Sequence, residues 1–67
     1  MTFADLRVDM RVTYRGRSGI VYKVSHPSDP FKSVQIRWRG DSYDGAREYI
    51  GSHAVMDRFA GELQLAA

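Results

Sequence analysis

The stretch Val12-Thr13-Tyr14-Arg15-Gly16-Arg17-Ser18-Gly19-Ile20-Val21-Tyr22-Lys23-Val24 reads as strand, tight turn, strand. Val12 and Tyr14 alternate with Thr13 and Arg15 before the turn. Ile20, Tyr22 and Val24 alternate with Val21 and Lys23 after it. Period-2 alternation of β-branched and aromatic residues marks strands with one face buried. Gly16 and Gly19 are expected to set the turn, since glycine takes φ > 0 without a Cβ penalty. Ile20 and Val21 put apolar side chains on both faces, which predicts a bent second strand or a β-bulge.

The same period extends outward in both directions. A first strand over 10–15 places Met10, Val12 and Tyr14 on one face and Arg11, Thr13 and Arg15 on the other. The second, over 19–25, ends at His26-Pro27-Ser28-Asp29-Pro30, a loop because proline cannot donate to a ladder. The third, over 32–39, has Val34, Ile36 and Trp38 on one face and Ser33, Gln35, Arg37 and Arg39 on the other. Gly40-Asp41-Ser42-Tyr43-Asp44-Gly45 is a glycine-bracketed hairpin loop leading to a fourth strand over 46–50. With Ile50 facing the core, Glu48 faces in near the rim, and Arg47 and Tyr49 turn outward.

The ends read differently. Thr2 caps a short turn with Asp5 in the capping-box place, and Phe3 and Leu6 point together onto a core. After Gly51 the period changes: Val55, Met56 and Phe59 share one side of a short helical turn, capped by Ser52 and stopped by Gly61. A last strand over 62–65 turns Leu63 and Leu65 inward. The expected core is Val12, Val21, Val34, Ile36, Trp38, Ile50, Val55, Phe59 and Leu63.

With 67 residues this is one domain, residues 1–67, with one small core. It has no Cys, which excludes disulfides and thiolate metal sites. Tight packing of its eight aromatics or self-association must support the fold instead. No apolar run is long enough to span a membrane, and Met1-Thr2-Phe3-Ala4-Asp5-Leu6 does not read as a signal peptide, so a cytoplasmic protein is expected. Net charge is only +2, yet Arg supplies eight of the ten basic residues. Arg suits bidentate contact with phosphate or carboxylate, which favours an anionic partner.

The element order, with Gly16-x-x-Gly19-x-Val21-x-x-Val24, resembles the SH3-like barrel in the version shared by KOW and Tudor domains and related small bacterial domains. The resemblance implies an all-β, five-stranded antiparallel barrel with one short helical turn before the last strand. Members of that family bind RNA, DNA or protein ligands. A second similarity, of Arg47-Glu48-Tyr49-Ile50 and the segment after it, is to the end of the plasmid-encoded type II dihydrofolate reductases. That family carries Val-Gln-Ile-Tyr at this place, whereas here Val34-Gln35-Ile36 occurs one strand earlier, so the activity is not carried over.

No catalytic set assembles otherwise. His26 and His53 lie far apart and outside any ligand pattern, and Gly16-Arg17-Ser18-Gly19 is too short for a phosphate loop and leads to a strand. Asp41 and Asp44 read as turn formers. A non-enzymatic module without cofactor or metal is therefore expected.

What remains is a surface. Gln35, Arg37, Arg39, Arg47 and Tyr49 share an outward face in this reading, with Arg15 and Arg17 extending it from the turn. Arginines beside a stacking ring supply what a nucleic-acid site needs, charge for phosphates and a π-face for a base. The bland alternative is that Glu48, Asp41, Asp44 or Asp57 neutralise these arginines. Another class of function is protein interaction: Tyr14, Tyr22, Tyr43, Tyr49 and Trp38 ringing a peptide groove, or self-association through open strand edges, in a phage, transposition or transcription assembly.

Overall fold

The hairpin at 12–24 forms, with its turn conformation carried by Arg15 and Gly16. The structure, a computed structural model, describes residues 1–26, 28–41 and 45–66. The expectations for Pro27 and for Ser42, Tyr43 and Asp44 in the second hairpin loop lie outside the described residues. Strands β1 (Arg11–Tyr14) and β2 (Arg17–Val24) pair antiparallel with Tyr14 opposite Arg17. Arg15 and Gly16 form the two-residue turn with φ of +49° and +84°, the positive pair that matches the twist of flanking strands. Gly19 does not set the turn. A Cβ there would lie 2.6 Å from Cε3 of Trp38 and 2.8 Å from Cγ2 of Ile36, so it is glycine because β2 passes so close to those side chains.

Strands β3 (Lys32–Trp38), β4 (Arg47–Gly51) and β5 (Gln64–Leu65) complete one antiparallel sheet in the order β4-β3-β2-β1-β5. The edge strands β4 and β5 do not pair with each other among the described residues, so the sheet is open where a closed barrel was expected. The predicted bulge is present. Val21 faces Ile36 and Lys23 faces Gln35, leaving Tyr22 as the extra residue and letting both Val21 and Val24 pack inward.

Helix α1 (His53–Glu62) is ten residues, not a single turn. Ser52 caps it, accepting from the Val55 amide at 3.4 Å. Gly61 sits inside the last turn, and the chain leaves the helix only at Leu63. Met56, Ala60 and Leu63 form its buried side, spaced four and three apart, with Phe59 half-buried beside them. Val55 lies off that stripe and is exposed, contrary to expectation. The 3-10 turn Phe3–Asp5 packs against α1, and the Phe3 amide donates to Oδ1 of Asp57 at 3.0 Å.

The core joins Val12, Val21, Val34, Ile36, Trp38 and Leu63, as expected, to Phe3, Leu6, Met56 and Ala60. Besides Val55, two aliphatic residues expected inside are outside. Leu65 is exposed on the two-residue edge strand, and Ile50 is 64% exposed. Strand β4 runs in the opposite phase: Tyr49 stands opposite Val34, stacks on Phe59 at 4.7 Å between centroids and takes the Trp38 indole hydrogen bond. No helix among the described residues is long and apolar enough to cross a membrane.

Candidate nucleic-acid interface

On the outer face of the sheet, Arg11, Ile20 and Arg37 stand in one row across β1, β2 and β3. At a strand spacing of about 4.8 Å, the two arginine Cα atoms are roughly 10 Å apart, with the exposed Ile20 between them. The Arg39 amide donates to the Ser18 carbonyl at 2.8 Å, which prolongs the β2–β3 ladder and holds Arg39 two residues, about 7 Å, beyond Arg37. Arg11, Ser18, Ile20, Arg37 and Arg39 line an open cleft of about 580 Å³. Among the described residues, no acidic side chain pairs with Arg11, Arg37 or Arg39. Asp41 borders the same cleft, but Arg47 grips its carboxylate in a fork, Nε to Oδ2 at 2.6 Å and Nη2 to Oδ1 at 3.2 Å.

A shallower recess of about 330 Å³ continues from Arg37 to Tyr22, Gln35, Gly45 and Ala46. The bulge throws the Tyr22 ring outward, 62% exposed, beside Arg37. Gln35 lies between them and donates to Oε2 of Glu48 at 3.4 Å.

The seven residues read from the sequence therefore divide. Gln35, Arg37 and Arg39 share the outer face. Arg47 and Tyr49 do not, because the inverted phase of β4 puts Arg47 opposite Ile36 and Tyr49 opposite Val34, on the core side. Arg15 and Arg17 are also displaced. The left-handed turn swings Arg15 over the Tyr14 ring, 5.3 Å from its centroid, and Arg17 lies over Trp38 at 5.7 Å. Beneath them Tyr14, Trp38, Phe59 and Tyr49 pack against one another, so these rings form a capped cluster rather than an open groove. Tyr22 stands apart on the opposite face.

Arg11, Ile20 and Ser18 are absent from the sequence-derived site. Parity places Arg11 opposite Val12, on the outward side, but only the cross-strand register brings it into line with Arg37.

Among the described residues the histidines make local contacts: His26 Nδ1 with Ser28 Oγ at 2.6 Å, and His53 Nε2 with Asp57 Oδ2 at 3.0 Å. No group of three or more His, Cys, Asp or Glu among the described residues could hold a metal ion. Compared with known proteins, the chain matches no family model, no curated protein and no solved structure.

Proposed function

We propose that this chain is a non-catalytic module that binds the backbone of nucleic acid on the outer face of its sheet. One observation carries the proposal: three arginines converge on one open cleft with no acidic partner among the described residues. Arg11 on β1 and Arg37 and Arg39 beyond β2 hold three positive charges about 7–10 Å apart around Ile20. A phosphate backbone laid across the cleft would meet all three, and guanidinium groups match phosphate geometry. Tyr22, not Tyr49, supplies the ring beside the charges, and Ile20 offers an apolar floor to a sugar or base. In the same proposal the fold is an SH3-like barrel of the KOW or Tudor kind, with α1 packed along the side that the sheet leaves open.

Titration of single- and double-stranded oligonucleotides at two salt concentrations tests the proposal. Binding should weaken steeply with salt and depend little on sequence. Arg37→Gln should lower the logarithmic salt slope by about 0.7–0.9, the share of one phosphate contact. Arg58→Gln, on α1 and outside the cleft, should leave the slope unchanged. A chain that binds no oligonucleotide at low salt is not such a module.

Self-association is a second reading, favoured by the outer edge of β4, unpaired among the described residues, and the exposed Ile50 upon it. Sedimentation over a wide concentration range decides it; a monomer throughout ends it.

A further inference from the structure

We infer that the ligand of this interface is a single strand, and that its path leaves the cleft past Arg39 and turns over the end of the sheet onto Arg17 and Arg15. The inference rests on the nucleic-acid reading above. Arg39 is hydrogen-bonded to the carbonyl of Ser18, the residue after Arg17, so the last outer-face cation adjoins the first cation of the other face. Neither Arg15 nor Arg17 has an acidic partner among the described residues. Unneutralised guanidinium groups thus run from one face to the other across a single layer of backbone. A duplex, with a persistence length of about 150 base pairs, does not fold around so thin an edge, whereas a single strand does.

The aromatic cluster bears on how the strand is held. Arg15 rests on Tyr14 and Arg17 on Trp38, so each guanidinium is backed by a ring and presents its other side to solvent. Bases stack on such guanidinium planes as they do on aromatic rings. The turn also retains a costly residue. Asn-Gly is the favoured pair where both φ values are positive, yet Arg occupies the first place at φ +49°. Strain of this kind persists at sites where the side chain has a task.

The experiment uses the whole chain and fluorescence anisotropy. The probes are oligo-dT and oligo-U of about four and about twelve nucleotides, spanning the site sizes of small single-strand binders, with a matching duplex. The wild type should bind the long single strands more tightly than the short strands or the duplex. Arg15→Asn should melt at or above the wild-type temperature, because Asn suits the turn. Its affinity for the long strand should fall roughly two- to fivefold, the equivalent of one exposed ion pair. Its salt slope should fall by about 0.7 while short-strand binding is unchanged. Arg17→Gln should show the same loss. Equal affinity for duplex and single strand overturns the inference. So does an Arg15→Asn protein that binds the long strand like wild type while Arg37→Gln does not, and in that case the cleft alone is the site. If Arg37→Gln also has no effect, or no probe binds at low salt, the nucleic-acid reading itself fails.

Discussion

The Trp38 indole nitrogen donates to the Tyr49 hydroxyl across 2.7 Å, from β3 to β4. This bond sets the phase of β4. It draws Tyr49 to the core side, where its ring stacks on Phe59, and leaves Ile50 in solvent. Trp38 is 6% exposed, so its N–H has little access to water and depends on this acceptor. Tyr49→Phe should keep the stack and lose the acceptor, destabilising the fold by about 1–2 kcal/mol in denaturant unfolding. In the proposed nucleic-acid reading, binding by the folded variant should not change, because the Tyr49 hydroxyl is occupied by the Trp38 indole and Tyr49 does not line the cleft.

Ile36 and Ile50 make a matched pair of opposite expectation. Ile36 is fully buried, and Ile36→Ala should cost about 2–5 kcal/mol, most of what so small a domain has. Ile50→Ala, at an exposed position, should change stability by no more than about 0.5 kcal/mol. Urea titrations of the two variants side by side check both values. A large loss at Ile50 as well as at Ile36 would restore the inward phase of Ile50 that the sequence reading expects.

Gly16 and Gly19 resist the same substitution for different reasons. Gly16→Ala meets no neighbouring atom but forces a Cβ into φ +84°, at a cost of about 1–2 kcal/mol. Gly19→Ala has ordinary backbone angles and instead drives its methyl into Trp38 and Ile36, costing about 1–3 kcal/mol. Near-ultraviolet circular dichroism separates them: the Trp38 signal should change in the Gly19 variant and stay constant in the Gly16 variant.

Asp5 predicts an acid-side dependence. The Thr2 backbone N–H donates to its carboxylate at 2.8 Å and the Thr2 hydroxyl at 3.2 Å, and the two hold its pKa below the ordinary carboxylate value. A pKa lowered in the folded state stabilises the protein above the unfolded value and loses that contribution as pH falls through the folded one. Asp5→Asn should therefore be less stable than wild type at neutral pH, and the difference should vanish in acid. NMR titration of the Asp5 carboxyl gives the direct check, and Thr2→Ala, which keeps the backbone donor, should restore its pKa only in part.

Three features of the fold were legible from residue order because each rests on local chemistry. Val34, Ile36 and Trp38 repeat at every second position, so only one phase of β3 buries them, and all three are buried. The bulge follows directly on the apolar pair Ile20–Val21, and Ser52 and Asp5 supply the oxygens at their helical turns. Strand β4 carries no such bias. Tyr49 and Ile50 are both large and apolar and lie on opposite faces, so alternation permits either phase. Contacts with Trp38 and Phe59, each brought from elsewhere in the chain, select one. Arg37 and Arg39 follow from the parity of β3, whereas the union of Arg11 with Arg37 depends on two strand registers. Alternation along a strand is a property of one backbone and is written in its sequence. Which faces then meet is a property of pairs of strands, and packing around Trp38 decides it.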